Sequence, residues 1–238
     1  MPKALIYSYA AFLVAYLIGS LSFAVIVSRL MGLADPRSYG SHNPGATNVL
    51  RSGNKIAAVL TLLLDAVKGY VPVALAKWKS FDLGFDDTAV AFVGVAAFVG
   101  HLWPVFFRFV GGKGVATALG VLLAYDIWLG LGVLATWIAV AALFRYSSLA
   151  AIVAAIMAPF YQLMFFSSPS YALAVTTMSL LLIWRHWRNI VKLMAGKESR
   201  IGEKPQPRRH RRRHRSQTVA PADRSQAPAP QPQRKADH

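Results

Sequence analysis

The sequence predicts an all-α integral membrane protein, a polytopic bundle of about seven transmembrane helices with its N-terminus outside and its C-terminus cytoplasmic. Three observations carry this expectation. Of 238 residues, 55% are hydrophobic, above the roughly 45–50% of an average soluble chain. The apolar residues fall in runs of membrane-spanning length. The formal net charge of +16 is kept out of those runs and gathered in loops and at the C-terminal end. Residues 196–238 hold 12 Lys and Arg against 4 Asp and Glu, and residues 1–195 hold 14 against 6, so a short tail carries half the excess. The expected organisation is a membrane body over 1–200 and a basic cytoplasmic tail over 201–238.

A helix needs about 20 apolar residues to cross the hydrocarbon core. Windows of that character fall at roughly 4–28, 56–78, 88–107, 113–125, 127–144, 149–166 and 170–187. The first follows Lys3 and runs to Ser28, longer than the roughly 7–15 apolar residues of a secretory leader and without a small-residue cleavage site after it. It therefore reads as a first span. The fourth is short enough for a re-entrant segment.

Loop charge orients the set. Arg29, Arg37, Arg51 and Lys55 follow the first window, Arg108 and Lys113 the third, Arg145 the fifth, and Arg185, Arg188 and Lys192 the seventh. The intervening loops are mixed, acidic or uncharged: Lys77, Lys79, Asp82, Asp86 and Asp87, then Asp126, then Ser167 to Ser170. Basic loops stay in the cytoplasm. If 113–125 did not cross, Arg145 would fall outside, so the charge pattern favours a crossing. From about Lys204 the chain is rich in Pro, Gln, Ala and Arg without helical period, the composition of a disordered segment. Its run Arg208 to Arg215 suits the anionic headgroups of membrane lipids, at about 1 kcal/mol per basic residue, and no nucleic-acid partner is expected. The absence of cysteine removes disulfides and thiolate chemistry.

Each basic loop carries a polar cluster. The first holds Gly40, Ser41, His42, Asn43, Pro44, Gly45, Ala46, Thr47 and Asn48, followed by Arg51. Glycines let successive N–H groups converge on an anion, and an Arg fork fits phosphate. Turn chemistry alone explains Asn43-Pro44-Gly45 but not the Thr47, Asn48 and Arg51 that follow. The next cluster is Gly111-Gly112-Lys113-Gly114 with Thr117 just inside a helix start, where backbone N–H groups and the dipole favour an anion over a mere hinge. It is not a nucleotide loop, because Gly114 stands where Ser or Thr is required. Ser147 and Ser148 follow Arg145, a pattern that a plain N-cap also explains. His186 and Asn189 are three apart and share a helix face. Inside the apolar windows lie Asp65 and Lys68, equally readable as a neutralised structural pair or a functional one, and His101. No Ser–His–Asp arrangement and no metal-ligand spacing appears, so the clusters read as a phosphate-holding surface beside apolar helices.

In order along the chain, GSHNPGATNVLR (Gly40 to Arg51), DAVKGYVPV (Asp65 to Val73), GHLWPVFFRFVGGKGVAT (Gly100 to Thr117), YSSL (Tyr146 to Leu149) and the His186/Asn189 pair resemble the acyl-phosphate-dependent glycerol-3-phosphate acyltransferases of bacteria, the PlsY type. The resemblance covers about residues 4–200, and His42 stands where the family usually has Gly. It implies that the 1-hydroxyl of sn-glycerol-3-phosphate attacks a fatty acyl-phosphate, giving lysophosphatidic acid and phosphate, the first acylation of phospholipid synthesis. It implies neither acyl-CoA, metal nor cofactor. It implies a multi-pass place in the bacterial inner membrane with the site facing the cytoplasm, and a soluble upstream enzyme that supplies the acyl-phosphate by transient encounter. By similarity, Ser41, Arg51, Lys113, His186 and Asn189 form the catalytic set on the glycerol-3-phosphate side. Ser147 and Ser148 meet the acyl-phosphate together with the loop glycines Gly45, Gly111, Gly112 and Gly114, and Asn43, Thr47, Asn48, Lys68, His101 and Thr117 complete the substrate-binding set. The substrate's own phosphate, with a second pKa of about 6, is the expected proton acceptor, and His186 the alternative. The competing classes are a membrane carrier for a phosphorylated solute and a lipid-binding scaffold.

Overall fold

The computed structural model describes residues 3–203, and among them every regular element is a helix. The expected tail from Lys204 onward lies outside the described residues. The first window forms two helices, α1 (Lys3–Gly19) and α2 (Phe23–Leu30), bent by 43° across Ser20-Leu21-Ser22. The single uninterrupted span expected over 4–28 is thus a broken one. The break is stabilised by partners elsewhere. Lys68 Nζ donates to the Leu21 carbonyl at 2.6 Å, and the Ser20 hydroxyl accepts from the Val105 N–H at 3.4 Å. A carbonyl freed within a membrane must find such a partner inside the protein.

After the short α3 (Ala46–Leu50), α4 (Lys55–Trp78) is the longest helix, started by Asn54, whose side chain accepts from the Ala57 N–H at 3.0 Å. The turn α5 (Ser80–Leu83) leads to α6 (Asp87–Leu102), capped by Asp86 on the Ala89 N–H at 2.8 Å. A 3₁₀ turn at Val105–Phe107 precedes α7 (Val115–Tyr125). Asp126 ends α7 and caps α8 (Ile127–Phe144) by accepting from the Trp128 and Leu129 N–H groups. The bundle closes with α9 (Ser147–Phe165), α10 (Pro169–Arg185) and α11 (Trp187–Met194). Asp86 and Asp126, read in the sequence as loop charge, are therefore helix caps. Lys77 acts at the other polarity, donating to the last carbonyls of α7, Ala124 at 3.2 Å and Tyr125 at 2.8 Å.

All seven apolar windows appear as helices. Four are long and apolar enough to cross a membrane, or five when the bent α1–α2 pair counts as one span, among the described residues. The 11 residues of α7 rise roughly 16 Å at about 1.5 Å each, half the hydrocarbon thickness. α7 reaches the centre of the bundle because small residues let it press on α4. Gly69 lies against the Thr117 backbone and Gly120 against the Ala66 backbone, contacts a Cβ at either glycine would block. Around this pair pack Phe98, Leu102, Val121 and Val175, all buried. α11 buries no residue and sets Trp187, Val191 and Met194 at i, i+4 and i+7 as one exposed apolar stripe.

Candidate active site

The loop from Gly40 to Arg51 is held open by Asn48. This buried amide accepts from the Ser41 N–H at 2.9 Å and donates to the Pro36 carbonyl at 2.6 Å and the Tyr39 carbonyl at 3.2 Å. Its polar atoms are thus spent on the loop's own backbone, and Ser41 is left exposed. Gly40 (φ 59°) has no room for a Cβ beside Asn48. His42 is also left-handed, at φ 57°, with its Nδ1 3.0 Å from the Arg37 carbonyl. The conformation that makes Gly usual at this position is kept here by histidine.

The second loop is pinned from three sides. Its Gly112 N–H donates to the His101 carbonyl at 3.2 Å, and the His101 ring lies where a Gly112 Cβ would be. The Pro44 carbonyl abuts the same point, so the first two loops touch there. Arg185 donates to the carbonyls of Gly111 at 2.9 Å and Gly112 at 3.0 Å. Gly114, at φ 84°, then turns the chain into α7. Lys113 projects from this turn, and its Nζ donates to Asn189 Oδ1 at 2.6 Å.

The remaining clusters join them. Thr47 and Ser147 share a hydrogen bond at 3.2 Å. Beyond α11 the chain turns back as a strap over residues 196–203. There Glu198 Oε1 accepts from the Ser148 hydroxyl at 2.9 Å and from Asn189 Nδ2 at 2.7 Å. Arg51 donates to the Ser199 hydroxyl at 2.5 Å. Arg51, Lys113, Asn189, Ser147, Ser148, Thr47 and the second-loop glycines are thus gathered at one end of the bundle.

Lys68, His101 and Thr117 are not among them. Lys68 is paired with Asp65 at 2.8 Å and both are buried; His101 Nδ1 lies 3.7 Å from the same Asp65 oxygen; Thr117 is buried against α4. This network lies beneath the second loop. Arg185, Glu198 and Ser199 are site residues that the sequence reading missed. Arg185 looks like any interfacial anchor, and the return of the strap is a long-range event. The one available signal was a carboxylate, Glu198, in a strongly basic stretch.

Electrostatics follow from this enclosure. Burial lowers the Lys113 ammonium to about 8, with Glu198 opposing the shift and Lys192, Arg51 and Arg185 adding to it. Burial and the nearby Lys113 charge push His186 down to about 4, against a backbone hydrogen bond to Leu182. The imidazole is therefore neutral near pH 7. Its Nδ1 lies 2.8 Å from the Leu182 carbonyl, which only accepts, so Nδ1 carries the proton and Nε2 keeps its lone pair.

A family model described as glycerol-3-phosphate acyltransferase matches residues 9–196. Among curated relatives, the glycerol-3-phosphate acyltransferase of Herminiimonas arsenicoxydans is 64% identical over 190 residues, covering 80% of this chain and 93% of its own length. That of Ralstonia nicotianae is 64% identical over 193 residues, covering 81% and 93%. Among solved structures, the glycerol 3-phosphate form of PlsY (YgiH), an integral membrane glycerol 3-phosphate acyltransferase, superposes with a TM-score of 0.77 at 38% identity, over 82% of this chain and 96% of that one. Its lysophosphatidic acid form gives 0.75 at 36% identity, over 82% and 95%.

Proposed function

Because the chain belongs to the glycerol-3-phosphate acyltransferase family, we propose that it transfers the acyl group of a fatty acyl-phosphate to the 1-hydroxyl of sn-glycerol-3-phosphate. It is a membrane-embedded acyltransferase of glycerol-3-phosphate, and the products are lysophosphatidic acid and inorganic phosphate. The observation that carries the donor and the mechanism is the convergence of Lys113, Arg51, Asn189 and the α7 N-terminus beside Ser147 and Ser148. Such a site holds two phosphates and supplies little acid–base chemistry, which suits an acyl group that arrives already activated. The carrier reading loses its footing because these groups gather at one end, while at the other Asp86, Asp126 and Lys77 are spent on helix termini, Lys79 is paired with Asp82 and Asp87 accepts from the Ser168 hydroxyl.

In the proposed reaction the hydroxyl oxygen bonds to the acyl carbon, and the bond from that carbon to the phosphate oxygen breaks with its electron pair leaving on phosphate. Lys113 and the free N–H groups of Val115 and Ala116 oppose the negative charge, and Arg51 binds the second phosphate. Ser41 and Asn43 border the first loop as contacts to substrate, and Asn48, Lys68, His101 and Thr117 serve by holding the loops from behind. The hydroxyl proton passes to the phosphate of glycerol-3-phosphate. His186 orients that hydroxyl through Nε2, and a neutral ring held near 4 is a poor proton acceptor at pH 7.

The test is purified protein with acyl-phosphate and glycerol-3-phosphate, assayed for lysophosphatidic acid, with acyl-CoA in a parallel reaction. Product from acyl-phosphate alone is the expected result; product from acyl-CoA alone would overturn the donor assignment. For the proton, His186→Gln keeps a hydrogen-bonding side chain but no basic nitrogen. Its kcat is expected within about tenfold of the parent, with a rising pH limb near 6 retained from the substrate phosphate. A general base contributes roughly 10²–10⁴-fold, so a loss of that size together with the limb would assign the proton to His186.

The proposed topology is seven crossings with the N-terminus outside and the C-terminus inside, in the bacterial inner membrane, with the site open to the cytoplasm and to an upstream soluble source of acyl-phosphate. The basic tail then meets the anionic inner leaflet, apart from the catalytic body. The support is the alternation of basic loops and the gathering of four of them around one site. Single cysteines at Ser41, Val110, Ser147 and Asn189, with Val110 taken for the second loop because it is exposed where Gly112 has no room for a side chain, should all escape an impermeant thiol reagent in intact cells and react after permeabilisation. Labelling of any one from outside would refute the orientation.

A further inference from the structure

Around Lys113 the charges are lopsided. Arg51 from the first loop, Arg185 from α10 and Lys192 from α11 all raise the positive potential there, and His186 is neutral. The acidic group facing Lys113 is Glu198, from the strap. Glu198 is also the meeting point of two hydrogen bonds from site residues, the Ser148 hydroxyl and Asn189 Nδ2, and Asn189 passes the contact on to Lys113 through its Oδ1. The amide of Asn189 therefore has one orientation, fixed at both ends by charge: the ammonium must meet its oxygen and the carboxylate its nitrogen.

The strap reaches this place by contacts that do not involve Glu198. The Ile201 N–H donates to the Arg145 carbonyl at 2.7 Å, and Arg145 donates back to the Ile201 carbonyl at 3.1 Å. Arg200 donates to the Tyr146 hydroxyl at 3.2 Å and lies over its ring. Backbone pairing and stacking thus bring the carboxylate in, and its removal leaves the strap's own anchors intact.

We propose that Glu198 is a positioning residue for acyl transfer: it ties Ser148 and Asn189 together and serves as counter-charge to the Lys113 ammonium that receives the substrate phosphate. The proposal rests on the reading of Lys113 as a phosphate ligand. A site made only of Arg51, Arg185, Lys192 and Lys113 would repel the proton from the half-buried Lys113, whose ammonium burial already lowers to about 8. A carboxylate one amide away opposes that loss without occupying the ammonium's remaining donors.

The experiment is the pH dependence of kcat/KM for glycerol-3-phosphate, measured with acyl-phosphate on the full-length protein. The parent should show a falling alkaline limb near 8, where Lys113 discharges. In Glu198→Gln the limb should move to lower pH by about one unit or more, the shift typical of losing a close opposite charge, so the loss is several-fold at pH 8 and smaller at pH 6. Glu198→Asp keeps the charge but draws it back by one methylene, and should shift the limb the same way by less. Lys113→Arg stays charged, so its limb should be absent, and adding Glu198→Gln to it should move nothing. A limb that stays in place in folded Glu198→Gln overturns the proposal and leaves Glu198 a structural contact. Should that variant fail to fold, Glu198→Asp decides by the same criterion. If the parent makes no lysophosphatidic acid, the functional reading itself falls; if it does and the limb is unmoved in the variant, only the role of Glu198 falls.

Discussion

Lys113→Ala is expected to lower kcat/KM for glycerol-3-phosphate by roughly 10- to 150-fold with little change in thermal stability. The magnitude is that of a charge-assisted hydrogen bond, about 1.5–3 kcal/mol, at 1.4 kcal/mol per factor of ten. Lys113 sits on a turn whose backbone is held by Arg185 and by the His101 carbonyl, so the turn does not depend on the lysine side chain. What the substitution removes is the ammonium and the partner of Asn189 Oδ1. Lys113→Arg returns the charge and should recover part of the rate, although a guanidinium does not fill the place of a compact ammonium. Initial rates over a range of glycerol-3-phosphate, with a melting curve for each variant, make the measurement. Rates within twofold of the parent would exclude Lys113 from the site.

The helical membrane character was legible because it rests on local composition. Each apolar window became helical and the loop glycines fell between helices, while Thr47, Asn48, Ser147, Ser148 and Asn189 sit in the first turns of the helices that follow. The candidate site was legible in pieces: Arg51, Lys113, Asn189, Ser147 and Ser148, each proposed from residue type and neighbours, lie together in the structure. Their mutual contacts were not, because the hydrogen bond from Lys113 to Asn189 spans 76 positions and that from Arg51 to Ser199 spans 148. The break at Ser20–Ser22 was hidden for a related reason. Its sequence is apolar enough to continue, and what permits the kink is a lysine 47 positions away. Asn48 shows the opposite limit. It has the side-chain chemistry of a ligand contact, and it is consumed by backbone groups, the carbonyls of Pro36 and Tyr39 and the N–H of Ser41.

Lys68→Met is expected to destabilise the folded protein by about 3–5 kcal/mol, the cost of leaving one partner of a buried ion pair without the other. The side chains of Lys68 and Asp65 are 2% and 4% exposed, and their charged atoms are 2.8 Å apart in the middle of α4. Methionine fits the volume, so the penalty comes from the orphaned carboxylate and not from a cavity. Adding Asp65→Asn removes that charge and should recover most of the loss. It should not recover all of it, because the Leu21 carbonyl at the α1–α2 break stays without its donor, worth about 1–3 kcal/mol. Thermal unfolding in detergent of the single and double variants gives the cycle. The double variant also separates two roles for Lys68. If the lysine holds the helix break and the base of the second loop, a stable double variant keeps much of its kcat. If the lysine touches the substrate phosphate, the double variant folds but loses binding of glycerol-3-phosphate by the same one to two orders of magnitude expected for Lys113→Ala. Burial of the ammonium between Asp65 and the Leu21 carbonyl favours the first outcome, since two of its three donors are already engaged within the protein.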